Sequence, residues 1–345
     1  MSSPSYQLFA IGNPLLDIQV TNGEELLKKY DLKSNDAILA EAKHAPLYEE
    51  IVKGKVTYVA GGAGQNAARG AAYVLPPDTV AYTGCVGDDD FAEQLKIANA
   101  REGLAHKYLV KKGEKTGACA VILTGHDRSL VTDLRAAEKF EKSWLSSPEV
   151  APVIESAKVF YIEGFFLTHG TESVVEVAKK FSEAGKVSVI NLSAPFIAQF
   201  FGVQLQQVLP YIDFVIGNES EAEAWASANG LPNKNDNAAT AKAIALLPKS
   251  NPSRPRTVII TEGPKSTTVV SSADPDNAKI YPVTPLSDSE IVDTNGAGDA
   301  FAGGFLGAYI SGKDIDGCIE VGHKLGAMCV QSIGPQFKWP KVQVL

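Results

Sequence analysis

The sequence predicts an α/β fold, a doubly wound and mostly parallel sheet flanked by helices. Three observations carry this. Beyond about residue 150, short β-branched runs alternate with helical stretches, the rhythm of strands joined by crossover helices. From residue 298 onward the chain holds two apolar, glycine-rich helical stretches. Apolar residues make up 45% and charged residues 21% of 345, the composition of a globular chain rather than a disordered one. At roughly 150 residues per domain, that length suggests two domains.

Residues 6–11 form an apolar run closed by Gly12, Asn13 and Pro14, a strand entering a turn. Helical spacing follows over 21–30 and 46–53, with a β-branched strand over 55–60. An alanine-rich helix over 64–75 is halted by Pro76 and Pro77, then come a strand over 79–84 and a helix over 90–101 ending near Gly103. Short strands are expected over 107–110, 118–123 and 129–132, with Gly125-His126-Asp127-Arg128 as a tight turn between the last two. The regular alternation comprises strands over 159–162, 187–192, 214–216, 257–260 and 267–271 and helices over 172–184, 219–228 and 238–247. Helices over 298–311 and 315–331 complete the chain. Segments at about 17–60 and 113–136 fit this rhythm poorly and are expected to form a separate small β element.

Thirty-two basic against forty acidic residues leave a net charge of −8. This argues against coating nucleic acid or anionic membrane, which needs a concentrated positive field, but allows local capture of a small anion. Cys85, Cys119, Cys318 and Cys329 are too scattered for a disulfide framework or a zinc site and read as buried thiols of a reducing compartment. The histidines lack metal-binding spacing. The first basic residue is Lys28, so no charged signal-peptide start is expected. The uncharged run 187–212 contains Asn191, Pro195, Pro210 and four glutamines, so it does not read as a membrane helix. The expected protein is cytoplasmic or nuclear and monomeric, with no membrane or nucleic-acid partner.

The most informative segment is Asp293-Thr-Asn-Gly-Ala-Gly-Asp299-Ala-Phe, a glycine-rich turn into a helix. Gly296 and Gly298 let successive amides converge, and the helix dipole adds positive potential. A carboxylate in the same turn suits phosphoryl transfer: the amides neutralise developing charge while Asp299 takes a hydroxyl proton. The same residues also suit a helix cap with packing glycines, and both readings stand at this point. A second cluster, Gly61-Gly62-Ala63-Gly64-Gln65-Asn66-Ala67, formally matches the dinucleotide fingerprint, with Asp88 to Asp90 as its acid; no Lys-Ser/Thr phosphate loop follows it. Asp17, shortly after a strand end, reads either as a carboxylate for a vicinal diol or as an exposed turn residue. Asn218 and Glu221 share a helix face and read either as a water-mediated Mg²⁺ site or as a cap on an acidic face. Arg128 at a hairpin tip is an exposed arginine or a mobile phosphate clamp.

The two glycine signatures together resemble those of the ribokinase-like (PfkB) carbohydrate kinases over nearly the whole chain. Gly12-Asn-Pro-Leu-Leu-Asp-Ile18, Asn35-Asp-Ala-Ile-Leu-Ala-Glu41, Gly164-Phe-Phe-Leu-Thr168, Asn191-Leu-Ser-Ala-Pro-Phe196 and Gly217-Asn-Glu-Ser-Glu221 resemble its nucleoside-phosphorylating members. The resemblance implies a large domain (1–16, 61–112 and 137–345) and a smaller β-rich lid (17–60 and 113–136). It implies transfer of the ATP γ-phosphate to the ribose 5′-hydroxyl of adenosine, a purine-salvage reaction giving AMP and ADP. A sugar or a different nucleoside is the alternative acceptor. In this resemblance Asp299 is the general base, the Gly296, Ala297 and Gly298 amides are the anion hole, and Arg128 clamps phosphates. Asn13, Asp17, Gly61, Gly62 and Asn66 hold the ribose, while Leu15, Leu39, Leu130 and Phe165 wall the purine. Asn191, Asn218, Thr261, Gly263, Asn295 and His323 fall in the ATP pocket. Asn218 and Glu221 organise Mg²⁺, and Asp293 helps order a monovalent cation such as K⁺. Glu262 and Thr132 depart from residues common in the family.

Overall fold

The computed structural model describes residues 5–345 apart from Asn22, Asn35 and His126. Part of the turn expected at 125–128 and the first residue of the 35–41 segment therefore lie outside the described residues. The early strands are β1 (Leu8–Ile11), β2 (Leu15–Thr21), β3 (Ala37–Leu39), β4 (Thr57–Gly61), β5 (Val80–Thr83) and β6 (Cys85–Gly87). Then come β7 (Ala105–His106), β8 (Leu109–Lys111), β9 (Gly117–Thr124), β10 (Asp127–Asp133) and β11 (Val159–Glu163). The last are β12 (Val187–Asn191), β13 (Phe214–Asn218), β14 (Thr257–Glu262), β15 (Ser266–Ser271) and β16 (Asp274–Pro282). Helices α1 (Glu24–Lys29), α2 (Ala45–Ile51), α3 (Ala63–Val74), α4 (Asp90–Glu102), α5 (Ala151–Ser156) and α6 (Thr171–Glu183) cover the first half. The second half has α7 (Pro195–Phe200), α8 (Gly202–Val208), α9 (Glu219–Ala228), α10 (Asn237–Ala245), α11 (Ala297–Ile310) and α12 (Ile315–Cys329).

Nine strands form one sheet in the order β16-β15-β14-β13-β12-β11-β1-β5-β7. Every pairing from β7 to β14 is parallel, and β15 and β16 extend one edge antiparallel. The central strands are apolar along their whole length because both faces are covered. Leu8, Ala10, Tyr161 and Val189 pack against α3, α11 and α12 on one face. Their neighbours Phe9, Ile11, Phe160 and Ile190 pack against α6, α9 and α10 on the other. This is the expected doubly wound α/β architecture. The chain runs out from β1 through β5 to β7 and returns to β11 on the opposite side of β1. The strand order thus reverses between β1 and β11, and the crevice at their carboxyl ends is where such sheets bind ligands.

A second sheet, in the order β3-β10-β9-β2-β4, lies apart from the first. Its period of two sorts the side chains. Ile18, Ala118, Ala120, Ile122 and Val131 form a core with Leu47, Tyr48 and Ile51 of α2. The alternate residues Leu15, Asp17, Cys119, Arg128, Leu130 and Thr132 line a cleft on the other side. The small β element expected from the early segments is thus present, but its strand β2 begins already at Leu15. The expected helix over 21–30 is shortened to Glu24–Lys29, with Thr21 ending β2. Asp17 is therefore a buried strand residue, 5% exposed, rather than an exposed turn aspartate. Arg128 is not at an exposed tip either: it lies within β10, opposite Leu123 of β9, and is buried. The dinucleotide reading also fails, because β4 pairs antiparallel to β2 and belongs to the smaller sheet. Asp89 instead caps α4, and Asp88 accepts from the Gly113 amide. The uncharged run at 187–212 is divided among β12, α7 and α8, and no helix among the described residues is long and apolar enough to cross a membrane.

Helix α11 is buried almost along its whole length and packs between α3 and α12. Close approach explains its glycines: a Cβ at Gly303 would sit 2.6 Å from the Ala67 carbonyl oxygen and 2.7 Å from Gly70 Cα. Both obstacles are backbone, so they cannot rotate away. Gly303→Ala should destabilise the fold by about 1–3 kcal/mol, the usual cost of overpacking. Chemical denaturation checks this, and an unchanged midpoint would show that α3 and α11 have room to separate.

Candidate active site

A cleft of about 490 Å³ opens between the carboxyl ends of β1, β11, β12 and β13 and the inner face of the smaller sheet. The glycine-rich turn enters it from one side. Gly296 is in the left-handed conformation, φ 74°, and α11 starts at Ala297, so Asp299 is its third residue. Asp299 does not cap the helix. Its Oδ2 accepts from Asn66 Nδ2 at 3.0 Å, joining the two glycine signatures. The first-turn amides of such a helix have no acceptor within the helix, which makes them donors to an anion. Gly62, φ 88°, starts α3 and lies so close to the Asn13 carbonyl that a Cβ would overlap it. Gly61 does not line the cleft but packs against the Asp17 carboxylate, where any side chain would displace the acid.

At the switch point, Glu163 at the end of β11 accepts from the amides of Asn13 (3.1 Å) and Gly64 (2.6 Å). It bolts the loop after β1 to the start of α3. Glu163 was not among the residues that sequence reasoning selected; its signal was an acid directly after the strand expected over 159–162 and followed by Gly164. Asn13 Oδ1 pairs with His169 Nε2 at 2.9 Å. Leu15, Leu39, Leu130 and Phe165 form the apolar walls, with the Phe196 ring tilted against Phe165 at a centroid distance of 5.8 Å. The Thr132 hydroxyl is turned to Cys119 Sγ at 3.4 Å, so this departure leaves no unpartnered hydroxyl in the wall.

The far end of the cleft is lined by Asn191, Asn218, Glu221, Thr261 and Asn295. Asn218 and Glu221 form a reciprocal capping box on α9: Asn218 Oδ1 accepts from the Glu221 amide, and Glu221 Oε2 from the Asn218 amide, both at 2.9 Å. Glu221 is buried as well, so the cap and the cleft share one carboxylate. Thr261 donates to the Gly217 carbonyl at 3.3 Å. Asn295 donates its amide to Asp293, whose other oxygen accepts from Gly334 N at 2.8 Å. Asp293 also forms an ion pair with Arg128, joining β10 of the smaller sheet to the glycine-rich turn before α11. Besides Gly61, His323 and Gly263 are expected residues that are not brought to the cleft wall. His323 pairs with Thr267 at 2.8 Å, and Gly263 occupies the turn between β14 and β15, next to the Glu262–Lys265 ion pair.

Three buried carboxyls, Asp17, Glu163 and Glu221, meet the half-buried Asp299 around this space. Burial pushes Asp299 up to about 7, opposed by the Asn66 hydrogen bond and by the charge of Arg69. Burial, then the charge of Asp299, raises Asp17 to about 7. Glu221 rises to about 7 by burial, and Glu163 to about 8 by burial against its two amide donors. Such an acid cluster suits proton transfer near neutrality and the attraction of cations. No group of three or more His, Cys, Asp or Glu side chains placed to hold a metal ion occurs among the described residues.

Comparison with known proteins agrees with this geometry. Residues 24–342 match the model of the pfkB family carbohydrate kinases. An adenosine kinase of Schizophyllum commune is 65% identical over 99% of both chains. One of Saccharomyces cerevisiae is 44% identical over 97% of this chain and 98% of its own. Among solved structures, Anopheles gambiae adenosine kinase in complex with P1,P4-di(adenosine-5) tetraphosphate superposes with a TM-score of 0.92 at 40% identity, covering 94% of this chain and 95% of its own. Schistosoma mansoni adenosine kinase with 2-fluoroadenosine gives 0.92 at 36% identity, covering 97% and 98%. This chain belongs to the pfkB family of carbohydrate kinases. It is an enzyme, a kinase whose high-identity relatives are adenosine kinases.

The raised acid at Glu163 has a consequence for stability. The folded protein keeps its proton to about pH 8, whereas the unfolded chain releases it near 4.5. Between these values folding takes up a proton, so stability falls as pH rises. Glu163→Gln keeps an oxygen for both amides and removes up to about 1.4 kcal/mol per pH unit from this slope. Thermal unfolding of the unliganded protein should therefore show the variant losing less stability than wild type from pH 5 to 8. A steeper loss in the variant would contradict the assignment.

Proposed function

We propose that this kinase transfers the γ-phosphate of ATP to the 5′-hydroxyl of adenosine, giving AMP and ADP, as in purine salvage. The observation that carries the reading is the meeting, in one cleft, of a half-buried acid in the first turn of a helix, a buried acid on the smaller sheet and apolar walls between them. Relatives named for adenosine phosphorylation, and neighbours solved with adenosine-containing ligands, support the choice of nucleoside.

On this reading the purine lies between Leu15, Leu39, Leu130 and Phe165, and the ribose diol is held by Asp17 with Asn13, Gly62 and Asn66. Asp299 accepts the 5′-hydroxyl proton as the oxygen–phosphorus bond forms; the bond from Pγ to the β,γ-bridging oxygen breaks and ADP departs. The Gly296, Ala297 and Gly298 amides meet the charge on the transferred group, in the manner of preorganised donors. Asn191, Thr261 and Asn295 lie along the expected ATP side. Phosphate oxygens compete with Asp293 for Arg128, drawing this arginine onto the donor. Glu221 and Asn218 fit Mg²⁺ held through water, since both Glu221 oxygens already accept from Asn218 (2.9 and 3.0 Å); bound there with the triphosphate, the ion would neutralise phosphate charge. Asp293, with its oxygens engaged, fits ordering a nearby K⁺ site rather than binding the ion itself. The smaller sheet acts as a lid that excludes water from the transfer.

The test is ADP formation from ATP and Mg²⁺ with adenosine, guanosine, ribose or fructose, using wild type and Asp299→Asn. Adenosine should be the preferred acceptor, and kcat should rise with pH as Asp299 loses its proton near 7. Asp299→Asn should lower kcat by about 10²–10⁴, the range for a lost general base. Turnover of a free sugar with none of adenosine would overturn the substrate, and an unchanged kcat in Asp299→Asn would remove its role.

A further inference from the structure

Behind Asn66, on the next turn of α3, lies Arg69, one of the largest fully buried side chains, 1% exposed. Its guanidinium is a node for four segments. Nε and Nη2 form a fork to Glu102 of α4 at 2.7 and 3.4 Å. Nη1 donates to the Ala60 carbonyl in β4 at 2.7 Å and to Asn66 Oδ1 at 3.3 Å. Nη2 also donates to the Pro335 carbonyl at 2.7 Å. Occupation of Asn66 Oδ1 orients that amide so that its Nδ2 faces Asp299. Pro335 in turn follows Gly334, whose amide holds Asp293, and packs against Gly296 at the start of α11. One cation thus touches the strand leading out of the smaller sheet, the amide that bonds Asp299 and the segment that backs the glycine turn.

We propose that Arg69 is a positioning residue for phosphoryl transfer: it fixes Asn66 against Asp299 and ties β4 and the carboxy-terminal segment to that contact. A lysine in its place keeps the charge beside Glu102 but lacks the planar fork that spans these acceptors. A purely structural arginine would affect folding alone. Arg69 has an electrostatic reach as well, because its charge opposes the effect of burial on both Asp299 and Asp17. Asp299 also acts across the cleft on Asp17 from β2, Tyr161 and Glu163 from β11, Glu221 from α9 and Cys329 from α12. All of these are acids or neutral groups. Arg128, which does line the cleft, is engaged with Asp293.

The inference rests on the reading of Asp299 as the base, so Asp299→Asn is assayed in parallel. Removing Arg69 alone leaves the buried Glu102 with only the exposed Arg101 beside it, so the second variant is Arg69→Met/Glu102→Met, which removes both partners of the buried pair. Folding is followed by circular dichroism and kcat by ADP release over pH 5–9. The double variant should lose about 10- to 100-fold in kcat, as lost outer-shell partners usually cost, and its acid limb should move to higher pH. Arg69→Lys should lower kcat while leaving the acid limb at its wild-type position. An acid limb unmoved in the folded double variant would overturn the inference, as would an equal shift in Arg69→Lys. If either result came with a collapse of turnover in Asp299→Asn, the base would stand and only the role of Arg69 would fall. Wild-type turnover in Asp299→Asn would instead remove the reading beneath it.

Discussion

The hydrogen bond between Asn66 and Asp299 spans 233 positions of sequence and brings both glycine signatures to one point. It exists only because α3 and α11 pack backbone to backbone, with Gly303 against Ala67 and Gly70. It also requires both helices to begin at the cleft, which Gly62 and Gly296 permit by taking positive φ. The glycines therefore serve two ends. Those at the turns aim the helix termini, and those within α11 set the distance between helices. Glu163 completes the frame by fastening the loop after β1 to α3 at the topological switch point.

This frame gathers negative charge. Asp17, Glu163 and Glu221 are buried and Asp299 half-buried around one cavity, and all four hold their protons to about pH 7 or 8. A chain of net charge −8 whose cleft is also acidic does not attract an anionic phosphate donor by its overall field. On the proposed reading, attraction comes from local devices: first-turn amides of α11, a metal ion brought with the triphosphate, and Arg128. The ion pair between Arg128 and Asp293 gives the unliganded cleft an internal partner for that cation. Protonated carboxyls reduce mutual repulsion until substrates arrive.

Much of this was legible in the sequence. The alternating strands and helices after residue 150, the halt of α3 before Pro76 and the cap of α9 at Asn218 follow from local pattern and chemistry. Strand β2 was not legible, because buried polar residues Asp17 and Gln19 interrupt its apolar run and Asn13-Pro14 reads as a turn. Strand β16 was missed because, as an exposed edge, its sequence Asp274–Pro282 is polar and carries prolines. The catalytic candidates were legible as motifs. Their support was not: Glu163 and Arg69 become informative only when three dimensions bring Asn13, Gly64, Asn66 and Pro335 to them. Arg128 looked like a surface residue because nothing local signals that its strand turns inward toward Asp293.

The central claim is that Asp299 and Asp17 address opposite ends of one ribose. The most direct measurement is a crystal structure of the protein with adenosine bound. The account predicts the 5′-hydroxyl oxygen within about 2.6–3.2 Å of the Asp299 carboxylate, the reach of a general base, with the vicinal diol on Asp17. A nucleoside seated in the cleft with its 5′-hydroxyl turned away from Asp299 would contradict it.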